Sequence, residues 1–406
     1  MFSEIVAQFP VAGGVYPWAR RLWGKKYAWM TGWVYMIALF TTIASVTYTA
    51  GFYVAPVLGI EATTNTVVLC GIATIVLATM INFLGTRPGD LRDHRLQRRA
   101  ARGLGGRLLA DLHPPVPRHR RHLPQLRRRP RPLRLGLPRR QPDRHLPVLR
   151  LRACGDVAEE VPNPGKLIPK AMRRTIYIGG AAAIFVCLAL TMSVADIPAV
   201  ISGKDADPIN TVLTDAFGAV GARIVLCVVL ISFLSCAMSL QAAASRLTYA
   251  YGRDDMIVGS KLFRRFDAKR AVPPYSLILA AVVPTLIILL SEVSADAVTK
   301  IVSFAGFGIY LGFQMVVFAA LRARIKGWKP SGAYQLGKWG LPVNAAALVY
   351  GVGAMINMAW PRTPDASWYD NYLVLLSAVV VVVLGLVYMA LHRSYGRSDA
   401  PYDDAI

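Results

Sequence analysis

The feature that most constrains this chain is a series of apolar stretches, each about as long as a bilayer is thick. Eight are legible: Met30–Pro56, Thr66–Gly85, Ile176–Ala195, Arg223–Ala244, Tyr275–Leu290, Val298–Leu321, Pro342–Ala359 and Tyr372–Leu391. A spanning helix needs ~20 mostly apolar residues. Lipid offers the backbone no hydrogen-bond partners, so such stretches must be helical. The sequence therefore predicts an all-α polytopic membrane protein. The 54% hydrophobic content over 406 residues fits that class and excludes an ordinary soluble domain. Trp339, Trp360, Trp368 and Tyr369 fall at span ends, where interfacial aromatics sit. Pro284 falls inside a span, which a membrane helix tolerates.

The cations alternate between the connecting segments. Arg20, Arg21, Lys25 and Lys26 precede the first span, and Lys166, Lys170, Arg173 and Arg174 precede the third. Further groups follow the fourth span (Arg246 to Arg270), the sixth (Arg322 to Lys338) and the last (Arg393, Arg397). The opposite segments carry mainly acids, among them Glu61, Asp196, Asp205, Asp207, Glu292 and Asp365. By the positive-inside rule the basic segments and the C-terminus are expected in the cytoplasm of a plasma or inner membrane. The polar segment Gly155–Arg174 then reads as a cytoplasmic loop. The second span ends inside and the third begins inside, so an even number of spans belongs between them.

That interval is unlike the rest of the chain. Arg87 to Arg152 holds 20 Arg, no Lys and 4 Asp, and supplies most of the +23 net charge. Only nine residue types occur there: Arg, Pro, Leu, Gly, Ala, His, Asp, Gln and Val. All nine have codons that begin with C or G, as a GC-rich gene read out of frame would give. The alternatives are a disordered arginine-rich RNA-binding arm and a polybasic loop for anionic lipid. The absence of Lys, Ser and Thr favours a frame-shifted segment, long enough to replace two spans. Met1–Trp29 holds a short apolar piece broken by Pro10 and Gly13-Gly14, and it begins as though the start of a helix lay upstream. No basic and apolar leader resembles a cleavable signal peptide.

Three motifs resemble the amino acid permeases of the amino acid–polyamine–organocation superfamily, with features of the amino acid/choline or GABA permease branch. Ser3-Glu4, Phe9-Pro10, Gly13-Gly14, Tyr16 and Trp18 resemble the end of that family's second helix. Glu159-Glu160, Asn163-Pro164, Ile168-Pro169 and Ala171 resemble the loop after its sixth. Ser245-Arg246, Tyr249 and Arg253-Asp254, followed by Val272-Pro273, resemble the exit from its eighth and the lead into its ninth. The resemblance implies an inverted-repeat transporter fold. On that reading residues 1–86 hold the end of helix two with helices three and four. Residues 87–152 stand where helices five and six belong. Residues 153–392 hold helices seven to twelve with the preceding loop, and residues 393–406 form a cytoplasmic tail.

The resemblance also implies secondary active transport of amino acids or related amines. Substrate sits between two discontinuous helices, the first and sixth, at the bilayer midplane. Neither is legible here, so transport by the chain as written is expected to be impaired. The legible walls are Ser45 and Thr49 on helix three and Ser232, Ser235 and Ser239 on helix eight. The three serines are spaced to share one helix face. Ser303, with Gly306 and Gly308, lies on helix ten. Each of these positions also suits plain helix–helix packing. Glu159, Glu160, Asn163 and Pro164 are candidates for a cytoplasmic gate, or simply a solvated turn. No nucleophile–base pair, cysteine framework or metal spacing appears, so no enzyme activity, metal or cofactor is expected. The coupling ion stays open between H+ and Na+. The expected partners are a small amino acid or amine and the lipid bilayer, with no specific nucleic acid. The competing function is a membrane-tethered nucleic-acid or anionic-lipid binder acting through residues 87–152.

Overall fold

A computed structural model describes residues 1–11, 13–84, 164–194, 197–198, 208–267, 270, 272–293, 295–361, 367–396, 398, 401–403 and 405. The Arg-rich block, Glu159, Glu160 and Asn163 lie outside them. The main helices are α1 (Phe2–Gln8), α2 (Val15–Trp23), α3 (Lys25–Leu58), α4 (Thr64–Leu84) and α5 (Pro164–Ser193). They continue with α6 (Pro208–Arg253), α7 (Pro274–Val293), α8 (Ala295–Ile325), α9 (Gly340–Ala359) and α10 (Leu373–His392). Each of the eight predicted spans falls on a helix among the described residues. Seven of the helices are long and apolar enough to cross a membrane, and Pro274–Leu290 of α7 is a shorter apolar helix. The chain is an all-α, polytopic integral membrane protein.

Two expectations need correction. The segment before the third span is not a loop throughout: α5 begins at Pro164, so Lys166, Lys170, Arg173 and Arg174 are helical. Proline at the first helical position costs no bond, and Pro169, one turn on, forfeits only an early one. Likewise the residues read as the exit from the fourth span remain helical to Arg253. Upstream, α6 bends at Gly218, whose φ of 68° breaks the regular helix.

α3 is the central column. It packs against α2, α4, α6, α7, α8 and α10. Small residues let these neighbours approach, as membrane interfaces require. A Cβ on Gly51 would land on the Val67 carbonyl of α4, and one on Gly32 would collide with the Tyr251 hydroxyl of α6. On α8, a Cβ at Gly308 would lie 2.7 Å from Phe304 and 2.9 Å from Ala38 of α3, the close packing expected there. Gly306 is different: its nearest neighbour would be the Met358 sulfur at an ordinary 3.8 Å. Aromatic donors tie down the same column. Trp29 Nε1 donates to Met256 O (2.9 Å), Trp33 Nε1 to Val381 O (3.0 Å) and the Tyr27 hydroxyl to Met315 O (2.8 Å).

The basic segments share one end of the bundle. There α2 and the start of α3 meet the end of α6, through Tyr16 and Asp254. The end of α8 meets α1 through Arg324 and Glu4. Arg173 of α5 lies over the Tyr334 ring, 4.5 Å from its centroid. The outward faces carry apolar side chains such as Leu69, Val349, Val379 and Val383, as a lipid-facing surface requires.

Candidate substrate-pathway wall

α3 and α6 run antiparallel, and three contacts fix their register. The Tyr251 hydroxyl donates to Trp29 O at 2.5 Å, the Thr248 hydroxyl reaches the Met36 sulfur at 3.7 Å, and Phe233 stacks on Tyr53 with centroids 5.6 Å apart. The partners step down α6 as they step up α3. Interpolating, Ser45 stands level with Ser239, and Thr49 with Ser235.

α4 fixes which way these hydroxyls face. It meets α3 at Gly51 and Thr47: a Cβ on Gly71 of α4 would lie 3.0 Å from Thr47 O. It meets α6 at Gln241, whose Nε2 donates to Thr79 Oγ1 (2.9 Å), while Asn82 Nδ2 donates to Gln241 Oε1 (3.2 Å). Successive residues turn about 100° round a helix, which places Ser45 and Thr49 about 120–160° from the α4 contacts of α3. Ser232, Ser235 and Ser239 lie about 120–180° from Gln241. On both helices the hydroxyl face therefore turns away from α4, to the same side of the α3–α6 pair. Thr49 and all three serines are exposed, and Ser45 is half-buried. Ser303 lies within α8, and Pro164 begins α5.

The hydroxyl geometry limits the chemistry. Ser232 Oγ donates to Val228 O (3.1 Å) and Ser239 Oγ to Ser235 O (2.9 Å), each within its own helix. A hydroxyl has one proton and two lone pairs. With their protons committed to the backbone, the oxygens of Ser232 and Ser239 are left as acceptors. Such a wall suits an ammonium group or a small cation.

The comparisons with known proteins agree with this architecture. One amino acid permease family model matches residues 152–399 and a second matches residues 1–90. The chain belongs to the amino acid permease family. Amino-acid permease BAT1 of Arabidopsis thaliana is 23% identical to this permease chain, over 96% of it and 80% of the relative. The choline transporter of Saccharomyces cerevisiae is 25% identical over 59% of the chain and 42% of the relative. Amino-acid permease 2 of Neurospora crassa is 22% identical over 58% and 43%. The chain spans less than half the length of the fungal relatives it matches.

The permease chain holds two polar networks at its basic end that sequence reasoning did not assemble. In the first, the Tyr16 hydroxyl donates to Asp254 Oδ2 (2.9 Å) and accepts from Arg20 Nη1 (2.7 Å). Arg20 Nη2 also donates to Ser398 Oγ (2.7 Å), and Lys25 Nζ to Ser398 O (2.7 Å), which ties the tail to α2 and α3. Burial, reinforced by the Asp254 charge, raises the Tyr16 phenol above the ordinary tyrosine range. In the second, the Glu4 carboxylate accepts from Arg324 and from Leu336 N–H (3.0 Å), while Gln8 Oε1 accepts from Trp328 Nε1 (3.2 Å). The only signal in the sequence was the motif residues themselves: Glu4, Tyr16 and Arg253-Asp254. Their partners Arg20, Arg324 and Ser398 are ordinary cations and a tail serine until the fold joins them.

Proposed function

We propose that this chain derives from a secondary active transporter, rather than an enzyme, that moves amino acids or related amines across a plasma or inner membrane. The family match over residues 152–399 carries the reading. The hydroxyl face of α3 and α6, with Ser45, Thr49, Ser232, Ser235 and Ser239, is the surviving wall of its pathway. A substrate ammonium or a coupling ion, H+ or Na+, passes along it. The basic end of the bundle, with the C-terminal tail, faces the cytoplasm, in line with its concentration of Lys and Arg. Glu159, Glu160, Asn163 and Pro164 belong to that cytoplasmic side. Residues 87–152 stand where the family's fifth and sixth helices belong, so the chain as written transports poorly.

Uptake tests both halves of the reading. The chain is reconstituted in liposomes and supplied with labelled amino acids, a polyamine or choline, under proton and sodium gradients. Near-background uptake is expected. A copy with the interval restored to the alternative reading frame is expected to transport. Gradient-driven uptake by the unaltered chain would refute the impairment, and an inactive restored copy would refute the frame-shift reading.

A further inference from the structure

A groove of ≈ 690 Å³ opens at the basic end, between the start of α3, the end of α10 and the tail. Its floor is apolar: Met30, Leu386 and Met389. Its walls are aromatic. Trp23 stacks on Tyr27 with centroids 4.1 Å apart, and Tyr395 and Tyr402 also belong to the lining. Two lysines rim it. Lys25 Nζ lies 4.4 Å from the centroid of Tyr402, and Lys26 Nζ 5.3 Å from that of Tyr395. Among the described lining residues Lys25 and Lys26 are the cations and Asp403 is the acid.

We propose that this groove holds one anionic phospholipid, its phosphodiester against Lys25 and Lys26 and its acyl chains over Met30, Leu386 and Met389. Two observations favour that occupant. The groove lies where two spanning helices reach their basic ends, which is headgroup depth. The lining passes from cationic rim through aromatics to apolar floor, the same order of polarity as a lipid from headgroup to chain. Basic pockets between membrane helices bind anionic headgroups by this chemistry. The tail, held by Lys25 and Arg20 through Ser398, forms the outer wall, so lipid and tail share a lysine.

Native mass spectrometry of the full chain in mild detergent, titrated with phosphatidylglycerol, tests the site. One tightly retained phosphatidylglycerol per chain is expected, with phosphatidylcholine held far more weakly. Lys25→Gln/Lys26→Gln is expected to weaken retention about 30-fold, at about five-fold per lysine. Lys26→Arg is expected to retain the lipid, as is Lys338→Gln in another basic segment. Circular dichroism on each variant separates a lost site from a lost fold. The proposal is overturned if Lys338→Gln weakens binding as much as the double variant, or if the folded double variant binds like wild type. Displacement of the lipid by inorganic phosphate at matched ionic strength also overturns it, since the chains would then contribute nothing.

Discussion

Removing the carboxylate of Glu4 is expected to cost the fold a large part of its stability. The Glu4–Arg324 pair joins α1 to the end of α8, and its side chains are only 1% and 8% exposed. Glu4 also accepts from Leu336 N–H at 3.0 Å. Glu4→Ala leaves a guanidinium and an amide in place without their acceptor. Breaking one side of a buried pair costs about 3–5 kcal/mol. Glu4→Gln keeps a carbonyl for Leu336 but loses the charge-assisted bond, at about 1.5–3 kcal/mol. Glu4→Met/Arg324→Met removes both charges and restores apolar volume, so it is expected to recover most of the loss. Stability is read by SDS titration of the detergent-solubilised chain, followed by tryptophan fluorescence, since Trp328 is bound to Gln8 in the same network. A Glu4→Ala loss under about 1 kcal/mol would refute the reasoning, as would a double variant as damaged as the sum of its singles.

Further predictions concern packing, polar satisfaction and pH. Gly32→Ala is expected to displace the Tyr251 hydroxyl from Trp29 O and cost about 1–3 kcal/mol, read by the same titration. Gln241→Leu removes partners of Asn82 and Thr79 together, and a loss of about 1–3 kcal/mol is expected, smaller if Asn82→Leu is added. Tyr16 keeps its proton in the folded chain at a pH where an unfolded tyrosine, near pKa 10, has lost it. Its stabilisation is therefore full below about pH 10 and falls as pH rises. Tyr16→Phe is expected to flatten that alkaline slope in a pH series.

The spans were legible because lipid imposes one rule on the whole stretch: apolar and helical. Their ends were not. α5 extends back to Pro164 and α6 on to Arg253 because polar residues continue a helix once it leaves the bilayer, and hydropathy says nothing of that. The face of the serines on α6 was legible from spacing alone, but its partner face on α3 and the direction of both required the contacts to α4. Gln241, Asn82 and Thr79 escaped notice because isolated polar residues in apolar spans carry no periodic signal. The pairs Glu4–Arg324 and Arg20–Asp254 join positions far apart in the chain, and no local pattern encodes such distances.

Water access along α3 and α6 tests the central claim most directly. All five cysteines, Cys70, Cys154, Cys187, Cys227 and Cys236, are replaced by serine, and single cysteines are placed at Thr49, Ser235 and Ser239. A membrane-impermeant thiol reagent is then applied to the chain in a bilayer, with Leu69→Cys on the lipid-facing side of α4 as the reference. A pathway wall predicts fast modification at the three hydroxyl positions and slow modification at position 69, with protection by the transported amine in the frame-restored copy. Equal, slow modification at all four positions would place the hydroxyl face in lipid or packed protein and contradict the account.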